Sequence, residues 1–394
     1  MIKIWSYIKN NFTIIKNISS VGVADIVGSA ISSIFWLYLA SVVIAEKYGE
    51  IHYYIAIASI ASTVSLLGSE NMLRVYITKD VKLQSTIYFI VLISTAITSV
   101  VLFFIYYKIE IIILTLSFVI SNLAISESFG KKMFTFYSKM FILQKILGAT
   151  LSIILFYLFD INGLLVGLAL SYMPYILQIY RGFKESQINL ILLKDRFTFF
   201  LTSFAQSFSG VARGQVDKLI IAPMLGFGLL GNYSFALQIV GILMIFPNVI
   251  YKYTLPHDAS GKSTFVIKKI TVLISIGIAV LGVTLSPVVI STFFPNYIEA
   301  IPAIQILSFY PIPATIDLMI ISKFLATEKN RVVLIGVTIA LTVNIGGVII
   351  LGPILGIIGA ALSFMLSATV YCVYLFVVNS KMKPDFNNNV NTKG

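Results

Sequence analysis

Gln84-Ser-Thr-Ile-Tyr-Phe-Ile-Val-Leu-Ile-Ser-Thr-Ala-Ile-Thr-Ser-Val-Val-Leu-Phe-Phe-Ile-Tyr106 runs without a charged residue between Lys82 and Lys108. At about 1.5 Å per residue, a helix of this length crosses a hydrocarbon core of about 30 Å. Its apolar residues do not alternate with a period of two, so a barrel strand is excluded. A helix satisfies its own backbone hydrogen bonds in lipid. Read outward from this segment, the chain contains eleven more such runs. The twelve predicted spans cover roughly 22–44, 51–73, 84–106, 109–129, 140–159, 162–180, 197–222, 229–251, 265–294, 300–322, 332–352 and 355–378.

Composition agrees with this pattern. The 394 residues are 58% hydrophobic and only 11% charged, too few polar groups to cover a water-facing surface. The formal net charge of +12 would raise nucleic-acid binding in a soluble protein. Here the position of the charges points to membrane topology, and no nucleic-acid partner is expected. Alternate loops carry Arg74, Lys79 and Lys82; Lys131 and Lys132; Arg181, Lys184, Lys194 and Arg196; Lys262, Lys268 and Lys269; Lys323, Lys329 and Arg331. The opposite loops hold only Lys47 and Lys108. The charge-rich face is therefore expected to be cytoplasmic, with both termini on it, in a multi-pass protein of the cytoplasmic membrane.

No loop is long enough to fold as a separate domain, so the helix bundle must do the work. Residues 1–20 read as an interfacial amphipathic segment, with Trp5, Ile8, Phe12 and Ile15 at helical spacing. Residues 381–394 read as a disordered cytoplasmic tail. Between these ends the chain repeats itself. Asn162-Gly163-Leu-Leu-Val-Gly167-Leu-Ala-Leu-Ser171 in span six is echoed by Gly356-Ile-Ile-Gly359-Ala-Ala-Leu-Ser363 in span twelve. Lys47-Tyr48-Gly49-Glu50 is echoed more weakly around Gly226 to Tyr233. The expected fold is thus an all-α integral membrane protein of about twelve helices. Two parallel six-helix halves, 21–184 and 197–380, are joined by a cytoplasmic linker at 185–196 and surround a central cavity.

Ionisable groups inside spans are the candidates for function. Arg213 is expected to line a cavity in the outer half of span seven. Asp217 stands four residues on, and Lys218 is placed to snorkel toward the interface. Asp25, Lys145 and Asp317 have no neutralising neighbour on their own helix and need a partner elsewhere or a wet cavity. Glu70 with Arg74, and Glu127 with Lys131, have the spacing of local ion pairs. Pro311 and Pro313 must kink span ten, as a fixed bend or as a hinge. No catalytic set is present: there is no Gly-x-Ser-x-Gly, phosphate-cradling loop, or His beside a nucleophile. With one cysteine and two histidines, a Cys/His metal site is essentially unavailable, and no cofactor is indicated.

The segment Gly210-Val-Ala-Arg213-Gly-Gln-Val-Asp217-Lys218 through Gly226 and Gly231 to Ala236 resembles the seventh-to-eighth span hairpin of polysaccharide flippases. These are the O-antigen and capsule translocases of the multidrug/oligosaccharidyl-lipid/polysaccharide exporter superfamily. Lys47-Tyr-Gly-Glu50, Asn344 with Pro353, and Gly356-Ile-Ile-Gly359-Ala-Ala361 extend the resemblance over nearly the whole chain. It implies translocation of an undecaprenyl-diphosphate-linked oligosaccharide by alternating access, as in lipopolysaccharide or capsule assembly. Arg213 and Lys145, with Arg74 and Lys218, would receive the diphosphate. Asn122, Gln178, Gln206, Gln238, Asn248, Gln305, Asn344, Tyr172 and Tyr310 offer groups to sugars. Asp25 and Asp317 would load the coupling ion, and Pro311 and Pro313 would serve as the hinge. The implied partners are membrane lipid, a glycosyltransferase and a glycan polymerase, acting on a monomeric flippase. A multidrug exporter and a lipid II flippase of the same superfamily are the alternatives.

Overall fold

The computed structural model describes residues 12–190, 196–259, 265–326 and 329–381. Trp5, Ile8, Lys194, Lys262 and the tail lie outside them. Every regular element among the described residues is helical. In the first half these are α1 (Phe12–Val42), α2 (Ala45–Leu66), α3 (Ser69–Thr78), α4 (Gln84–Tyr106), α5 (Ile109–Gly130), α6 (Phe134–Leu170) and α7 (Ile176–Phe183). In the second they are α8 (Phe197–Leu225), α9 (Phe227–Leu243), α10 (Ile245–Ala259) and α11 (Phe265–Phe293). These are followed by α12 (Ile301–Leu307), α13 (Pro311–Ala326), α14 (Asn330–Leu355) and α15 (Ile357–Lys381).

Seven helical segments are long and apolar enough to cross a membrane. Three bent pairs, α2 with α3 (49°), α9 with α10 (45°), and Pro295–Leu307 with α13 (48°), raise the total to ten if each is one broken span. Two more spans follow from local geometry. Within α6, Phe159 and Asp160 leave helical backbone, Asp160 at φ 55°, and the chain folds back on itself. A Cβ on Gly163 would strike the Leu155 carbonyl, and one on Gly167 would strike the Ser152 backbone, so the strokes are two antiparallel spans in close contact. The twelfth is α8, 29 residues long, which carries Arg213, Asp217 and Lys218 together with several Ser, Thr and Gln residues.

α1 runs unbroken from Phe12 to Val42 through the boundary expected near residue 20, and its stretch long and apolar enough to cross a membrane is Ser20–Val42. Span ten bends where expected, but the helix already breaks at Ser308–Tyr310, leaving Pro311 as the first residue of α13. That position suits proline, whose missing N–H would be unpaired there in any case.

The internal repeat appears in the packing. The second hairpin reproduces the first: Gly359 meets the Leu351 carbonyl as Gly163 meets that of Leu155. One sequence offset relates both pairs. Across the molecule, α2 and α9 cross at the charge-poor end with reciprocal contacts. Gly49 packs on the Phe227 carbonyl and Gly231 on the Ala45 carbonyl, leaving no room for a Cβ at either. Ala45 and Phe227, like Gly49 and Gly231, differ by the same offset, which is the signature of a pseudo-two-fold axis between parallel halves. An aromatic cluster seals this seam: Phe235 and Tyr297 rings lie 4.5 Å apart, Tyr48 is 5.7 Å from Tyr297, and Tyr297 Oη donates to the Val43 carbonyl at 3.2 Å.

Candidate functional site

Three neighbouring cavities lie within the bundle. The first, of about 410 Å³, lies between α2, α3, α5, α6 and α8. The second, about 400 Å³, is bounded by α1, α6, α9 and α10, and the third, about 340 Å³, by α8, α9, α10, α13 and α15. Lys145 lines the first and second, and Gly241 and Asn248 line the second and third. The shared residues place the three cavities beside one another, from the first half toward the second.

Lys145 lies about 16 Å along α6 from Phe134 and about 21 Å from the hairpin at Phe159, near mid-depth. Its ammonium stands 5.2 Å from the Phe141 ring and makes no ion pair among the described residues. A cation so placed is costly unless water or an anion occupies the cavity beside it. Arg213 lines the third cavity, its guanidinium 4.4 Å from the centre of the Tyr371 ring. It lies about 18 Å from the Leu225 end of α8 and about 24 Å from the Phe197 end. That is nearer the charge-poor Leu225 end, as expected from the sequence, and α8 begins at the expected residue, Phe197. Asp317 shares this cavity, is 4% exposed, has Cys372 as a hydrogen-bonding neighbour, and keeps Oδ1 without a partner.

Several expected pairings are not formed. Arg213 does not pair with Asp217: the Asp217 carboxylate accepts from Tyr233 Oη at 2.7 Å and from the Lys218 backbone N–H at 2.8 Å. Lys218 does not snorkel outward. It is 7% exposed, turns back along α8, and donates to the Gly214 carbonyl and to Gln215 Oε1. A helical side chain leans toward the N-terminus of its helix, here into the bundle. Arg74 does not pair with Glu70. Its Nε donates to Ser126 Oγ at 3.3 Å and its guanidinium stacks 5.8 Å from Phe129, outside the three cavities. The Glu127–Lys131 pair is formed at 2.8 Å and extends to Glu185 at 2.5 Å. Burial alone would lower the Lys131 pKa, but its hydrogen bonds to these carboxylates outweigh that and raise it. Asp25 lines the second cavity and accepts from Tyr137 Oη at 3.2 Å, so it has a partner on α6.

Among the groups expected to face sugars, Asn122 and Tyr172 line the first cavity, Gln238 and Asn248 the second, and Tyr310 the third. Gln178 is spent on the Ala124 carbonyl, Glu127 and Ser128, and Gln305 on the Val283 carbonyl. Asn344 is buried at 2% exposure away from the three cavities. Sequence reasoning missed Ser59, Ser62, Thr63, Gln144 and Gln215, all on the first cavity. Serine and threonine in apolar helices commonly bond their own preceding turn, so their type and spacing carry no signal of facing a cavity.

No protein-family model matches the chain, and no curated protein is significantly similar to it. Solved structures are. The lipid II flippase MurJ in an inward closed conformation superposes with a TM-score of 0.72 at 15% identity, over 92% of this chain and 88% of that one. An inward-facing multidrug resistance MATE family transporter of the MOP superfamily gives 0.64 at 16%, over 90% and 94%. A MATE protein in complex with MaL6 gives 0.59 at 15%, over 93% and 95%. A twelve-span bundle of two interlocked halves around a central cavity, superposing on these proteins over nine-tenths of its length, has the fold of the MOP-superfamily transporters.

Proposed function

We propose that this protein is a flippase that moves an undecaprenyl-diphosphate-linked oligosaccharide from the cytoplasmic to the outer leaflet by alternating access. The observation that carries this reading is Lys145: a cation near mid-depth, on the wall of two neighbouring cavities, with no carboxylate paired to it among the described residues. A diphosphate cannot cross hydrocarbon unaided, and an unpaired cation in a polar cavity lowers that barrier. Arg213 offers a second station in the other half. Arg74 and Lys218 are less suited to that role, since the first lies outside the cavities and the second is bound to its own helix. Asp25 and Asp317, on the second and third cavities, are the proposed ion-coupling groups, and the break before Pro311 the proposed hinge.

Reconstitution with a fluorescent short-chain prenyl-diphosphate oligosaccharide tests the reading. Lys145→Ala is expected to slow translocation at least about tenfold, equivalent to about 1.4 kcal/mol of lost stabilisation, at unchanged protein yield. Normal rates in both Lys145→Ala and Arg213→Ala would defeat it, as would transport of lipophilic cations in preference to the diphosphate. A lipid II-type substrate is the second reading, favoured by the superposition on MurJ at 0.72. Competition between a peptide-bearing and a peptide-free headgroup separates the two.

A further inference from the structure

The chain that leads toward the second half does not leave the first where α7 ends. At its root Gly182 is packed so closely that a Cβ would stand 2.7 Å from Glu127 Oε1 and 3.0 Å from the Tyr88 ring. The Phe183 ring stacks on Tyr88 with centroids 6.4 Å apart. The residues that follow turn onto the start of α4. The Phe183 carbonyl accepts from Ser85 Oγ at 2.8 Å, and Glu185 Oε2 accepts from Gln84 Nε2 at 3.4 Å. The Asn189 N–H donates to Thr86 Oγ1 at 2.9 Å, and Lys131, at the end of α5, holds Glu185 at 2.5 Å.

Ser186 has the most telling position. The first turn of a helix carries N–H groups with no acceptor inside the helix, and the N-cap side chain usually supplies one. The N-cap residue of α4 is Leu83, whose side chain has no acceptor to offer. Ser186, 101 residues further along the chain, stands in for it: its Oγ accepts from the Ser85 N–H at 3.2 Å and donates to Ser85 Oγ at 3.0 Å. Gln84, Ser85 and Thr86 are all buried. Lifting the segment would strip each of them of a hydrogen bond at the same moment as it broke the Lys131–Glu185 pair.

We propose that residues 183–189 are a strap that stays docked on the first half throughout the conformational cycle. Strap and first half then move as one body, and the angle between the halves changes only beyond Asn189. The linker expected at 185–196 is thereby shortened at its first-half end, because α4 borrows its cap from it.

A disulfide between Ser85→Cys and Ser186→Cys tests this in the full chain in proteoliposomes. The two Oγ atoms lie 3.0 Å apart, which places cysteines at these positions within bonding reach. Oxidation is expected to consume both introduced thiols, read by mass spectrometry, and to leave two rates within about twofold of the reduced protein. One is translocation of the fluorescent prenyl-diphosphate oligosaccharide. The other is maleimide alkylation of Cys372, the native cysteine on α15, which reports opening beside Asp317 without reference to any substrate. Oxidation that stops either rate, with recovery on reduction, would show that the strap lifts during the cycle and would overturn the proposal. Failure of the disulfide to form would do the same. No translocation in either state, with the disulfide formed and Cys372 alkylation unchanged, would defeat the flippase reading and support the strap. Hydrogen exchange gives a second measurement. Ser186→Ala is expected to speed exchange of the Ser85 amide about fivefold, the usual loss for a missing N-cap side chain, and an unchanged rate would remove the cap on which the proposal rests.

Discussion

The two halves share a scaffold and differ in what they carry. The offset that places Gly163 on Gly359 and Leu155 on Leu351 places Lys145 on Leu341, and the offset that places Gly49 on Gly231 places Arg213 on Ile31. The positions that build the hairpins and the seam are repeated, whereas the cations are not. Packing constraints at a close helix crossing act alike in both halves. A single asymmetric substrate lying across the axis needs different groups on its two sides. The charge-rich ends carry different contacts: in the first half Lys131 joins Glu127 and Glu185, and in the second an exposed Lys323 donates to Asn379 at 2.8 Å among its contacts.

The largest expected effect comes from breaking what the halves share. Gly231→Val forces a side chain into the Ala45 carbonyl, and Gly49→Val does so at Phe227; neither backbone contact can yield cheaply. Each is expected to cost about 3 kcal/mol, read as loss of thermal stability in detergent together with loss of transport. Equal losses at the two positions would sharpen the symmetry, and a loss at only one would break it.

Lys131→Ala and Lys323→Ala separate the halves. The first leaves Glu127, with a side chain only 1% exposed, without its cation and is expected to cost about 3 kcal/mol. The second removes an exposed charge and is expected to cost under about 1 kcal/mol. Denaturation of single variants measures the gap. The same network has a pH signature. Because the folded-state pKa of Lys131 is raised, its stabilisation is fully present below the ordinary lysine value of about 10.4 and is lost as pH rises through the folded value. Thermal stability that fell already between neutrality and pH 9 in the unsubstituted protein, but not in Lys131→Ala, would contradict this sign.

Function should divide where stability does not. Lys145→Ala is expected to slow translocation about tenfold, while Leu341→Ala, at the equivalent position, should leave the transport rate within about twofold. Similar losses would mean that Lys145 acts by packing alone. The smallest effect is expected at Lys47, whose 2.5 Å pair with Asp160 is solvent-exposed on both sides. Lys47→Ala should change stability by less than about 1 kcal/mol, and less again at high salt.

Span three was legible to the residue, since Lys82 and Lys108 bracket one uninterrupted apolar run. Span ten was legible only as a bend, because the helix breaks at Ser308–Tyr310, ahead of the prolines that suggested it. The glycine echo was readable as a repeat. Its reciprocal contacts were not, since they depend on which carbonyl faces each Cα. Pair spacing predicted Glu127–Lys131 correctly and Glu70–Arg74 wrongly for one reason: a four-residue interval makes two groups neighbours, while competing partners such as Ser126 and Phe129 decide whether they bond.

The sequence alone determined that the chain is a helical membrane bundle, where most spans begin and end, and which ionisable side chains lie within them. These follow from local hydropathy and the cost of unpaired backbone in lipid. Only the tertiary structure decided that Lys145 and Glu70 share one cavity, that Arg213 and Asp317 share another, and that Lys218 and Asp217 are turned to neighbours within the bundle. Depth along a helix is written in the sequence. The direction a side chain faces depends on helices distant in sequence, and on which of their hydrogen-bonding groups remain unspent.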